Sequence, residues 1–199
     1  MVSLQPNPFT TTPQALVNYD YSDVESGLGY KVYYAMWTSV ATGEPRLLSD
    51  QVEYSKEIVS VRTSAGSTAH GFALSPFNRP KTVKGIAIFS CGVGGANTAA
   101  STVTARLYVE PGTKAISDLI SAGQIVHTTT DPDKMILLPI PLTETVIKQG
   151  EYLRLIVTHT TPNAAATEIG HDPKGRAGTF IGTNATTIMT INVPFKTVS

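Results

Sequence analysis

The sequence predicts an all-β protein, an antiparallel two-sheet sandwich with an extended N-terminal arm and one short helix. Three observations carry this. Apolar and polar residues alternate with period two through most of the chain after Tyr30, the mark of strands with one buried face. Gly and Pro, 16 and 13 of 199 residues, punctuate those runs. Thr is abundant and loses side-chain freedom in helices, which disfavours long ones.

Residues 1–29 read as an arm. They hold Pro6, Pro8 and Pro13 and a Thr10-Thr11-Thr12 run without sustained periodicity. The arm nevertheless carries Leu4, Phe9, Leu16 and Val17, apolar side chains that a Pro-broken segment cannot bury in a core of its own. These four are the candidate contacts to a neighbouring subunit or shell. Residues 30–199 form the sandwich domain.

Within it, strands are expected at 30–38, 52–62, 69–74, 82–91, 104–110, 124–129, 134–138, 152–158, 165–170 and 188–195. In 104–110, Ala105, Leu107 and Val109 point one way; in 152–158, Leu153, Leu155 and Val157 share a face. Met189, Ile191, Val193 and Phe195 do the same near the end of the chain. The helix is expected after Thr113, a capping residue, where Ile116, Leu119 and Ile120 have helical spacing and Gly123 can end the turn. With about ten short strands and no βαβ rhythm, a two-sheet sandwich is the natural architecture.

Composition limits function. At 41% hydrophobic residues the chain can build a core, and 15 basic against 15 acidic residues leave a net charge of zero. Such a chain has no overall pull on phosphate backbones or anionic lipid, so neither nucleic acid nor membrane is an expected partner. Cys91, the single cysteine, lies in an apolar run and reads as a small buried thiol. The start has no basic and apolar leader pattern, which fits synthesis in a cytoplasm.

The motifs with chemical promise weaken on inspection. Gly92-Val-Gly94-Gly95-Ala-Asn97 after an apolar run mimics a dinucleotide fingerprint, yet Asn97 stands where Gly or Ala belongs and no helix of three turns follows. It reads as a Gly-rich loop between antiparallel strands. His127 and His159 each end a predicted strand and would form a two-His metal site, with Asp131 or Asp133, if those strands lay side by side. That is the basis of a cupin-like metalloenzyme alternative. Ser64, Ser67 and His70 are close in sequence without the strand-turn-helix context of a nucleophile elbow. Tyr33 and Trp37 share a strand face and, if exposed, would stack on sugars as in a carbohydrate-binding module, a second alternative. No residue is assigned a catalytic, cofactor-binding or metal-binding role, and no cofactor is expected.

The segment Pro141-Leu-Thr-Glu-Thr-Val-Ile-Lys-Gln-Gly-Glu-Tyr-Leu-Arg-Leu-Ile-Val157, a Lys-x-Gly-Glu turn entering an alternating strand, resembles the late strands of jelly-roll proteins of virus particles. Tyr21-Ser-Asp-Val-Glu-Ser-Gly-Leu-Gly-Tyr30, followed by Tyr33-Tyr34, is similar to openings of structural proteins of tailed viruses of bacteria and archaea. The resemblance covers about residues 20–199. It implies a jelly-roll sandwich and a non-enzymatic virion protein: an auxiliary capsid subunit of decoration or cement type, bound to other capsid subunits as a homo-oligomer, a trimer in its expected form, on a shell assembled in the host cytoplasm.

Overall fold

The computed structural model describes residues 28–38, 46–95, 100–111, 118–128, 133–161, 166–181 and 185–196. These residues are all-β, with eleven strands: β1 (Leu28–Trp37), β2 (Arg46–Ser49), β3 (Val59–Arg62), β4 (Gly66–Ala73), β5 (Lys81–Gly95), β6 (Ala100–Glu110), β7 (Asp118–Thr128), β8 (Asp133–Ile147), β9 (Tyr152–Thr161), β10 (Thr167–Gly170) and β11 (Thr190–Lys196). Residues 1–27, most of the expected arm with Leu4, Phe9, Leu16 and Val17, lie outside the described residues.

The hydrogen-bonded order is β3-β10-β5-β11-β1-β2-β4-β9-β6-β7, with β8 on the other side of β5. All pairings are antiparallel except a short parallel bridge, Leu47 to Ala73, between β2 and β4. The first and last described strands are neighbours, with Leu28 opposite Lys196 and Tyr34 opposite Thr190. The arrangement is sandwich-like. Inward residues of β1, β5, β8 and β11, among them Tyr33, Phe89, Ile140 and Ile191, meet Phe72 of β4, Leu107 of β6 and Leu155 of β9 in one hydrophobic core. Every residue taken for the core from alternation in β6, β9 and β11 (Leu107, Val109, Leu153, Leu155, Val157, Ile191 and Val193) is buried.

Several expectations need correction. Among the described residues the predicted helix is absent: Asp118–Thr128 is a strand paired with β6, from Ala100 opposite Thr128 to Val109 opposite Asp118, with a shift of register between Leu107 and Tyr108. The spacing of Ile116, Leu119 and Ile120 fits period 3.6, but a free edge of β6 offered a ladder that tertiary pairing filled. Of the strand expected at 52–62, only Val59–Arg62 forms. β8 extends far beyond 134–138, running through Pro139 and Pro141, whose side chains face outward. The glycine run is strand too, since Gly92 and Gly94 lie within β5 rather than in a loop. The reason is steric. A Cβ on Gly92 would sit 2.1 Å from the Thr186 carbonyl oxygen, and one on Gly94 2.6 Å from Phe180. A Cβ on Gly170 of β10 would lie 2.4 Å from Thr187 Cα. These glycines bare a strip of backbone on which residues 178–181 and 185–187 lie.

Candidate functional site

The densest polar chemistry among the described residues lies where β3 and β10 meet the chain that follows β10. β10 pairs with β3 from Thr167 opposite Arg62 to Gly170 opposite Val59, which sets Ser60 of β3 beside His171. Ser60 Oγ and His171 Nε2 are 3.0 Å apart. His171 is fully buried, with the Trp37 ring at 6.1 Å and the Phe72 ring at 6.0 Å. Arg46 in turn stacks its guanidinium over Trp37 at 4.1 Å. Burial pushes the His171 imidazole down to about 4, so it is neutral at pH 7.

Next in sequence, Asp172 is buried and turned to a different task. Its carboxylate accepts from Arg176 Nε at 2.8 Å, from the Arg176 backbone N–H at 2.9 Å and from Lys174 N at 3.3 Å. Burial alone would raise this carboxyl, but the hydrogen bonds from Arg176 hold it below the usual range. Arg176 also donates to the Ser55 carbonyl at 2.5 Å and lies over the Tyr54 ring at 4.3 Å, tying residues 54–55 to the chain after β10. Glu168, fully buried, accepts from the backbone N–H groups of Phe180 at 2.5 Å and Ile181 at 2.6 Å, and thereby clamps the segment over the glycine strip.

A hydroxyl hydrogen-bonded to a neutral imidazole is the first half of a nucleophile-base arrangement. The second half, a carboxylate orienting the imidazole, is not supplied by Asp172, whose oxygens are committed to Arg176.

Two more buried histidines lie between the layers. His159 Nε2 is 3.3 Å from Thr167 Oγ1, and neither ring nitrogen of His70 has a hydrogen-bond partner among the described residues. Burial, then the positive field of Arg46 for His70 and of Arg62 for His159, pushes both down to about 4. A separate ionic knot joins β6 and β9: Tyr152 Oη donates to Glu110 at 2.6 Å and Arg154 Nη1 pairs with the same carboxylate at 3.1 Å. Gly71 leaves the space that Arg154 occupies, since a Cβ there would meet Nη2 at 2.7 Å.

The residues singled out from sequence fare unevenly. Cys91 is buried and its thiol is pushed up to about 12, an inert group as expected. Tyr33 is 3% exposed and packs edge-on against Phe195, so it cannot stack on a sugar, and Trp37 is half-buried under Arg46. That corrects the sugar-platform alternative. His127 and His159 are not on neighbouring strands, because β6 runs between β7 and β9. That corrects the cupin-like alternative, and among the described residues no group of three or more His, Cys, Asp or Glu is placed to hold a metal ion. Ser67 bonds Thr160 at 2.6 Å, while His70 three positions later points to the opposite face. Sequence reasoning missed the Ser60–His171 pair, whose members are 111 residues apart.

No protein-family model matches this sequence, and no curated protein does. Solved structures do resemble it in fold. An α-amino acid ester hydrolase superposes with a TM-score of 0.58 at 11% identity, over 83% of this chain and 36% of its own. An aminopeptidase from a marine sediment Thaumarchaeota archaeon gives 0.56 over 86% of this chain and 37% of its own, at 11% identity. A CocE/NonD family hydrolase from Staphylococcus aureus gives 0.53 over 82% and 36%, also at 11% identity. The chain thus spans little more than a third of the hydrolases it resembles. Weaker likenesses, to infectious bursal disease virus at 0.35 and to a β-sandwich carbohydrate-binding module at 0.39, carry no weight.

The expectation of a non-enzymatic capsid subunit is therefore corrected: the three structures that superpose with TM-scores of 0.53 to 0.58 are hydrolases or an aminopeptidase, while the virus structure reaches only 0.35. The motif behind that expectation has a local explanation. In the turn from β8 to β9, Lys148 N donates to Glu151 Oε2 at 2.8 Å, and Gly150 takes a φ of 84°. Any β-sandwich hairpin can use this turn chemistry, so it does not distinguish one family from another.

Proposed function

We propose that this chain is the β-sandwich part of a hydrolytic system acting on α-amino-acid esters or amides. The observation that supports this reading is the superposition on an α-amino acid ester hydrolase over 83% of the chain. In finer architecture the reading is a two-sheet jelly roll, with β1, β5, β8 and β11 in one layer facing β4, β6 and β9 in the other. Fold likeness alone does not assign chemistry, so Ser60 and His171 enter as the hydroxyl-imidazole pair through which this chain is tested.

The test uses p-nitrophenyl esters and p-nitroanilides of α-amino acids. They are offered to the purified full-length chain and to whatever complex it retains from its own source. Release of p-nitrophenol or p-nitroaniline above the blank by either sample supports the reading, and its loss in Ser60→Ala places the reaction at Ser60. Absence of hydrolysis in both samples overturns it.

A further inference from the structure

The outer face of the layer formed by β1, β11, β5 and β8 is covered at one end and bare at the other. At Gly92 and Gly94, Phe180, Ile181 and Thr186 lie directly on β5. Beside and beyond these glycines on the same face stand Met135, opposite Gly92, then Leu137, Ile88, Ile86, Val32 and Tyr30, all exposed, Leu137 to 65%. They form one patch. Val32 is opposite Asn192, which is opposite Ile88, and Tyr30 reaches across β11 to place its hydroxyl 3.4 Å from the Ile86 carbonyl. An exposed, largely apolar sheet face of this kind, interrupted by Asn192 and the Ser90–Thr190 pair, marks a docking surface.

We propose that residues 1–27 of the same chain fold back over this patch. Two observations favour this occupant. The segment ends at Leu28, the first residue of β1, so it is tethered to the rim of the very layer that carries the patch. Its reach is also sufficient. Crossing from β1 to β8 takes three inter-strand steps, about 14 Å. The eleven residues from Val17 to Leu28 extend to about 36 Å. Ser26-Gly27, just before β1, is turn chemistry suited to the reversal. Leu4, Phe9, Leu16 and Val17 then find the apolar surface they lack, and a tether this short favours the chain's own patch over a second copy's.

The experiment places the photo-crosslinker p-benzoylphenylalanine at position 137 in the full-length chain, mixes isotopically light and heavy protein, and maps the products by mass spectrometry. The expected product joins position 137 to a peptide within 1–27 of the same chain. Leu16→Asp with Val17→Asp should reduce that product about tenfold. The same double variant should raise the fluorescence of a hydrophobic dye, with the far-ultraviolet circular dichroism unchanged. Mixed light-heavy products, cross-links confined to other segments, or a yield unaffected by the double variant would each overturn the proposal.

Discussion

Ser60 Oγ on β3 meets His171 Nε2 at 3.0 Å, although 111 residues separate them. The contact depends on the ladder of β3 with β10 and on an imidazole fixed between Trp37 and Phe72. Ser60→Ala removes the hydroxyl and leaves a buried ring nitrogen without its partner, which costs about 1–3 kcal/mol of stability. Ser60→Thr keeps the hydroxyl and should recover most of it. Urea denaturation of the three proteins provides the comparison.

The buried histidines predict acid sensitivity with a defined sign. Folded His70, His159 and His171 titrate at about 4, against the ordinary 6.5. Above pH 6.5 both folded and unfolded forms are neutral, and the stability these groups confer is complete. As pH falls from 6.5 towards 4 the unfolded chain takes up protons first, and stability is lost across that window. Melting temperature measured between pH 7.5 and 4 should drop steeply below 6.5, and His70→Phe should shallow the drop. A flat profile would remove these imidazoles from the argument.

The bare glycine strip predicts a steric hierarchy. Gly92→Ala drives a methyl group into the Thr186 carbonyl and should cost about 3 kcal/mol or more, as overpacking against backbone does. Gly150→Ala meets nothing within 4 Å and is opposed only by its φ of 84°, so about 1 kcal/mol is expected. Equal midpoints in denaturant would contradict the close approach of Thr186 to Gly92.

Glu110 holds two partners at once, the Tyr152 hydroxyl and the Arg154 guanidinium. Removing it by Glu110→Ala takes away the carboxylate that both groups share and should destabilise by about 1.5–3 kcal/mol, the range for a hydrogen bond to a charged group. Glu110→Ala combined with Arg154→Met should cost less than the sum of the two single changes. A double-mutant cycle reads that difference directly.

Cys91 supplies a probe that needs no engineering. The thiol is buried and pushed up to about 12, so a disulfide reagent should label it only at the rate of opening of the fold. Fast stoichiometric labelling in native buffer would contradict its burial in β5.

What was legible in the sequence follows from which forces are local. Alternation in Ala105, Leu107 and Val109, and in Leu153, Leu155 and Val157, specified strands and their buried faces because side-chain direction in a strand has period two. Arg46–Ser49 escaped notice because four residues with adjacent leucines show no alternation. Residues 52–58 misled because Val52 and Tyr54 suggest a strand, whereas both are exposed and Tyr54 covers Arg176. The glycines of β5 suggested a loop because their purpose, the approach of a segment some ninety residues later, is invisible locally. The Ser60–His171 pair was hidden for the same reason, since only sheet order brings β3 to β10.

The pairing of β1 with β11 governs when this protein can finish folding. The seam from Leu28–Lys196 to Tyr34–Thr190 joins the two ends of the described chain, so β1 waits on its partner until nearly all the intervening sequence has been synthesised. During that wait its hydrogen-bonding edge stays open to wrong partners. Closure over so long a loop makes folding slow relative to a helical bundle of equal size. The order of synthesis thus leaves this strand exposed longest.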